Sequence, residues 1–348
     1  SNFDFDLPEA NIALRPADPQ DSARLLIVYG DGRLVDANVR DLPQFLTAGD
    51  CLVFNDTRVI PAALRGIRHA RDANGMDVQV DANLVERKSR DTWMALARPG
   101  KRLKPGDVIQ FGDGFSATVS DKLETGETIL SFELAGAALE AALDRHGAMP
   151  LPPYIARRRA ADAADRATYQ TSFAGEASES VAAPTAGLHF TSRLLAEVAA
   201  AGLARETVRL HVGLGTFAPL KDSQIAEAKL HAEWRQVSAQ AAEHLNQVRA
   251  TGHRCVAVGT TALRTLESST TAIGEIQATT GPTDIFLQPG YRFRATDALV
   301  TNFHLPKSSL FMLVCALIGT DVMQAAYAHA IRENYRFYSY GDACLLLP

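Results

Sequence analysis

The sequence predicts an α/β protein: a mostly parallel sheet carrying helices, with a small antiparallel β-barrel inserted after the first sheet strand. Three observations predict it. Short apolar runs lead repeatedly into polar loops and then into helices, the texture of parallel strand–loop–helix units. From about Pro61 to Glu133 that texture gives way to short strands broken by turn dipeptides. The chain has 348 residues, 47% hydrophobic and 22% charged, so it can bury a large core. The expected division is a discontinuous α/β domain over 1–60 and 135–348, with the barrel over 61–134.

In chain order, CLVF from Cys51 is the first sheet strand, and NDTR follows it. The barrel strands are MDVQV, DTWMAL, DVIQF, SATVS and TILSFEL. Asn74-Gly75, Pro99-Gly100, Pro105-Gly106 and Asp113-Gly114 supply the turns between them. AALEAALDRHG then reads as a helix stopped at Gly147. Next come SVAA before PTAGLH, TVRLHV before GLGTF, CVAV before GTTALR, DIFL before QPG, and ALV before TNFHLP. Helices are expected at SRLLAEVAAAG, TALRTLESS and SSLFMLVCALIG. The apolar run Leu310 to Ile318 falls far short of the roughly 20 residues of a membrane helix and reads as a buried one.

The net charge of −5 argues against coating a nucleic acid, yet leaves room for a local basic patch. Cys51, Cys255, Cys315 and Cys344 form no CxxC pair, so neither a zinc site nor a disulfide framework is expected. With an acidic N-terminus lacking an apolar signal core, a cytoplasmic location is expected, and nothing requires more than a monomer.

In open α/β folds, ligands sit beyond the carboxyl ends of the strands, so six polar loops following apolar strands point to one crevice. PTAGLH contributes Thr185, Gly187 and His189. His189 is the first choice for acid–base work, because its pKa is tunable and it sits at a strand end. A histidine bracing a tight turn is the structural alternative. NDTR contributes Asp56, the second choice, and Arg58, which points the same way if the strand continues. GTTALR places Thr260 and Thr261 at a helix start that favours an anion, with Arg264 on the same helix. Arg264 and Glu267, three apart, read by themselves as a local ion pair. RLHVG offers His211, GLGTF offers Thr216, and TNFHLP offers Asn302 and His304, all equally compatible with structural roles. Glu233 stands beside His231 with no second histidine at ligand spacing, so no metal is expected.

Two segments are basic. Between Val85 and Pro105 seven cationic residues face two acidic ones; Arg98, Lys101 and Arg102 lie there. PLPPYIARRR adds Tyr154, Arg157, Arg158 and Arg159. Such runs are usually solvated faces, but in an acidic chain they suit phosphate docking with an aromatic available for stacking. Gly213-x-Gly215-x-x-Ala218 matches a dinucleotide fingerprint, although Pro219 delays the helix that fingerprint needs. A nicotinamide-dependent oxidoreductase resting on that motif is one alternative. A non-catalytic RNA-binding module resting on the basic segments is another.

Nearly end to end, the chain resembles the S-adenosylmethionine:tRNA ribosyltransferase-isomerase family of queuosine biosynthesis. FDFDLPEANIALRP, LVFNDTRVIPA, MPLPPYI, YQTSFA, VAAPTAGLHFT, LHVGLGTFAPL, VAVGTTALRTLES, PGYRF, LVTNFHLPKSSL and YRFYSYGDA carry the resemblance. It implies an α/β domain with an inserted β-barrel. It also implies transfer and isomerisation of the ribosyl group of S-adenosylmethionine onto 7-aminomethyl-7-deazaguanine at the tRNA wobble position, with adenine and methionine released. S-adenosylmethionine is then a substrate, tRNA the partner, and no metal, prosthetic group or membrane is involved. The chain departs from the family pattern at Ala228, where a histidine is usual, at Glu179, at Cys344 and by a short insertion near MDVQVDANLVER.

Overall fold

The computed structural model describes residues 2–176, 178–213, 220 and 222–348. The chain divides into two compact units. The first comprises 1–57, 170–175 and 184–348; the second comprises 58–169 and 176–183.

The first unit is built on a nine-stranded sheet. From one edge the order is Thr279–Ile285, Lys229–Val237, Ala204–Leu210, Cys51–Asn55, Cys255–Val258, Ala298–Asn302, Ala343–Leu347, Arg24–Tyr29 and Leu34–Asn38. The run from Ala204–Leu210 through Ala298–Asn302 is parallel, as expected, but both wings contain antiparallel pairs. The sheet is therefore mixed. Cys51–Asn55, Cys255–Val258, Ala298–Asn302 and Ala343–Leu347 are buried at every position and mostly apolar, because both faces are covered. Cys51 and Val53 join one core with Leu245, Leu263, Phe303 and Phe311. Leu52 and Phe54 join the other with Phe190, Leu194 and Val198. The helices Thr260–Glu267 and Ser309–Ile318 fall close to their expected positions, and the apolar Ser309–Ile318 lies in the first core. Among the described residues no single helix is long and apolar enough to cross a membrane.

The second unit is a closed six-stranded antiparallel barrel: Thr128–Phe132, Thr92–Arg98, Val78–Arg87, Ala63–Arg68, Val108–Gly112 and Phe115–Lys122, in spatial order. Ala63–Arg68 was not among the expected strands, although its residues alternate in burial. The unit extends beyond the expected 61–134, since helix Gly136–His146 and the chain to Tyr169 accompany the barrel. Gly147 ends that helix for a steric reason: with φ at −82° it needs no glycine, but a Cβ there would lie 2.0 Å from the Pro61 carbonyl oxygen.

One expected strand is absent. Val181–Ala183 are buried but not paired; the strand is Ser178–Ser180, and it lies in the second unit against Arg58–Val59. PTAGLH thus does not follow a strand of the large sheet. It folds as a 3-10 turn, Thr185–His189, within the first unit.

Candidate active site

Parallel strands end at one edge, which brings Asn55, Leu210, Val258 and Asn302 to the same side of the large sheet. Thr279–Ile285 runs in the same sense as Ala204–Leu210, two antiparallel steps away, so its carboxyl end arrives there too.

Asn55, which sequence reasoning passed over, ties this edge together. Its Nδ2 donates to the Leu210 carbonyl at 3.0 Å and to Thr261 Oγ1 at 3.1 Å. Its Oδ1 accepts from the amides of Leu210 and Thr57. An amide at the end of a buried strand, with nowhere to find water, was the available signal. Beside it, Thr57 Oγ1 is 3.0 Å from His211 Nδ1, and the His211 ring stacks on Trp234 with centroids 4.8 Å apart.

Asp56 forms a bidentate pair with Arg209, at 2.9 and 3.0 Å, and its carbonyl accepts from Gly175. The strand stops at Asn55, so the expected shared direction of Asp56 and Arg58 is not realised; Arg58 is exposed and belongs to the second unit.

Arg264 has a counter-ion that helical spacing did not predict. Gly259, at φ 92°, makes the sharp entry into helix Thr260–Glu267 that a side chain would resist. Thr260 and Thr261 open that buried helix. Arg264, one turn later and 3% exposed, pairs with Glu233 at 2.6 Å rather than with Glu267. Glu233 also accepts from the Gly213 amide at 2.9 Å. Arg264 Nε is 3.4 Å from the Ile285 carbonyl, and its Nη2 is buried with no partner among the described residues. Long-range strand pairing, not helical spacing, therefore chose the partner. His231 is exposed, and among the described residues no group of ligands could hold a metal ion.

His189 and Asn302 come together on the other side. Asn302 gives both amide hydrogens to the carbonyls of Tyr338 and Ser339, so its Oδ1 accepts from His189 Nε2 at 3.1 Å. Burial pushes the His189 pKa down, while Asn302, Asp342 and a backbone bond with Gln20 pull it up; burial prevails. Gly187 is glycine because Phe173 occupies its Cβ space, 2.7 Å away, so a protein ring rather than a ligand approaches it. Thr185 is half-buried in the same turn. His304 Nε2 is 2.9 Å from Thr301 Oγ1, and burial lowers its pKa to about 3. Thr216 and most of the glycine fingerprint, 214–219, lie outside the described residues.

In the second unit, Arg98, Lys101 and Arg102 are exposed, the last two on the turn Gly100–Arg102. Arg158 lies over the Tyr154 ring at 3.7 Å, and Arg157 is exposed. Arg159 is instead paired bidentately with the fully buried Asp165, both contacts at 2.8 Å.

The polar groups gathered where strand ends converge, on a sheet covered by helices, are those of an α/β enzyme. The family is then specific. The model of the queuosine biosynthesis protein family matches residues 1–346, and the chain belongs to that family. It is 69% identical to the S-adenosylmethionine:tRNA ribosyltransferase-isomerase of Hyphomonas neptunium, over 100% of this chain and 99% of that protein. Identity to the protein of that name from Phenylobacterium zucineum is 56%, over 99% and 98%. The crystal structure of an S-adenosylmethionine tRNA ribosyltransferase from Thermotoga maritima superposes over 100% of both chains, with TM-score 0.56 and 32% identity. The chain is an enzyme of this class.

Proposed function

We propose that the protein transfers the ribosyl group of S-adenosylmethionine to the aminomethyl group of 7-aminomethyl-7-deazaguanine at the tRNA wobble position and isomerises it. The product is epoxyqueuosine-tRNA; adenine and methionine leave. The observation that carries this for the small substrate is the unpartnered Nη2 of Arg264. A methionine carboxylate meeting it gains a charge-assisted bond, with the start of helix Thr260–Glu267 adding favourable partial charge. Glu233 holds the guanidinium from the other side.

The sulfonium of the donor acidifies the neighbouring C–H, so a modest base suffices to begin, and adenine leaves more readily once protonated. His189 is the proposed proton carrier. Burial favours its neutral form, and to carry a proton one ring nitrogen must exchange its protein partner, Asn302 or the Gln20 backbone, for the substrate. Asp56, fixed by Arg209, orients a hydroxyl or an imidazole. The burial of His189 and its bond to a clamped Asn302 favour a second reading, in which it only braces the Thr185–His189 turn.

In this reading Arg98, Lys101, Arg102, Tyr154, Arg157 and Arg158 contact tRNA, whereas Arg159 is committed to Asp165. The reading includes a cytoplasmic, monomeric enzyme; free, buried cysteines support the reducing compartment. Incubation with S-adenosylmethionine and precursor-bearing tRNA tests the function. Adenine release that requires that tRNA is expected. Its absence, with both substrates bound, leaves only a binding module. Turnover of a nicotinamide in place of adenine release would replace the reading altogether.

A further inference from the structure

Glu267, 4% exposed at the end of helix Thr260–Glu267, pairs with no cation among the described residues. It accepts from the amides of Arg294, Ala295 and Thr296 at 2.7, 2.9 and 3.0 Å, from Thr296 Oγ1 at 3.1 Å and from the Tyr291 hydroxyl at 3.3 Å. Five donors on one buried carboxylate fix the segment that follows Thr279–Ile285. Arg249 Nη1 adds a bond to the Arg294 carbonyl at 2.6 Å.

The organised segment holds QPGYRFR. Tyr291 and Phe293 are half-buried, packed on one side against the first core, with rings edge to face at 5.0 Å and their outer edges exposed. Arg292 and Arg294 are exposed, and among the described residues neither side chain is paired with a carboxylate. Binding residues are disproportionately placed on loops that a rigid scaffold positions. Rigid aromatic edges flanked by free guanidinium groups suit unpaired RNA bases beside their phosphates.

We propose that 288–294 is an RNA-contact platform for the single-stranded loop of the substrate tRNA, with Arg292 and Arg294 on phosphates and Tyr291 and Phe293 against a base. This rests on the tRNA reading above and adds a contact surface on the sheet unit. Helix Thr260–Glu267 then serves both substrates: Arg264 faces the small donor, and Glu267, three residues later, holds the loop that meets RNA.

The test is the Arg292→Gln/Arg294→Gln double variant of the full chain, which keeps the backbone amides that Glu267 uses. Binding of precursor-bearing tRNA is measured by fluorescence anisotropy across salt concentrations, alongside S-adenosylmethionine affinity and Tm. Losing two single-strand phosphate contacts reduces the magnitude of the log–log salt slope by about 1.4, which from a 1 M reference raises Kd roughly 25-fold at 0.1 M salt. Donor affinity and Tm should not move. An Arg33→Gln/Arg40→Gln variant removes the same charge elsewhere. Equal weakening there, or unchanged Kd and slope in the platform variant, overturns the platform. Failure of the wild-type protein to bind tRNA would overturn the functional reading itself; wild-type turnover with an unaffected platform variant sinks only this inference.

Discussion

Glu233→Gln should destabilise the sheet unit heavily, because it strands a buried guanidinium. The Arg264–Glu233 contact is 2.6 Å, with the two side chains 3% and 7% exposed. Without the carboxylate's charge, Arg264 keeps, among the described residues, the Ile285 carbonyl at 3.4 Å and at most one neutral amide oxygen, and Nη2 is already unpaired there. Removing one partner of such a pair costs roughly 3–5 kcal/mol, mostly the desolvation of the remaining charge. Replacing Arg264 with Met as well removes that charge, so the double variant should cost less than the sum, by about 2 kcal/mol or more. Two units make global unfolding ambiguous, but the chain has only two tryptophans. Trp93 lies in the barrel, and Trp234 stands next to Glu233 in the sheet. On a Trp93→Phe background, fluorescence in a denaturant titration follows the sheet unit alone. A Glu233→Gln cost below about 1 kcal/mol, or strict additivity with Arg264→Met, would refute the claim that this ion pair secures the edge.

Further outcomes follow from other groups. His189→Gln, which keeps hydrogen bonding but not proton transfer, should bind both substrates and lose about a hundredfold or more in single-turnover rate; near-normal turnover with a lowered Tm makes it a brace. His304, held at a pKa of about 3 by burial, binds its proton more weakly when folded than the unfolded chain does. Stability should therefore be complete above the unfolded histidine pKa near 6.5 and fall as pH drops towards 3, by up to about 1.4 kcal/mol per unit from this group. His304→Gln should flatten that limb of a stability–pH curve relative to wild type, and an unchanged slope would contradict the assignment. Gly147→Ala forces a Cβ to 2.0 Å from the Pro61 carbonyl and should cost more than about 3 kcal/mol, read as barrel unfolding of a Trp234→Phe variant in which Trp93 reports; a loss under 1 kcal/mol would mean the backbone yields freely there.

By itself the sequence determined what depends on local pattern. Runs such as CLVF and CVAV are apolar throughout because strands covered on both faces meet no water, so the sheet was legible from four residues at a time. The barrel was legible from alternation and turn chemistry, and the polar strand-end loops from their place after those runs. Only the tertiary structure decided which side chains meet. Arg264 and Glu267 share a helical face, yet strand pairing delivers Glu233 from 31 residues away, while Glu267 turns to a loop whose amides no spacing rule connects to it. Asp56 found Arg209 across 153 positions, and Val181–Ala183, apolar enough for a strand, are buried without strand pairing. A local pattern records what each residue needs, burial or a hydrogen-bond partner. Which partner answers that need is set by register between segments distant in the chain, and it exists only once the sheet has formed.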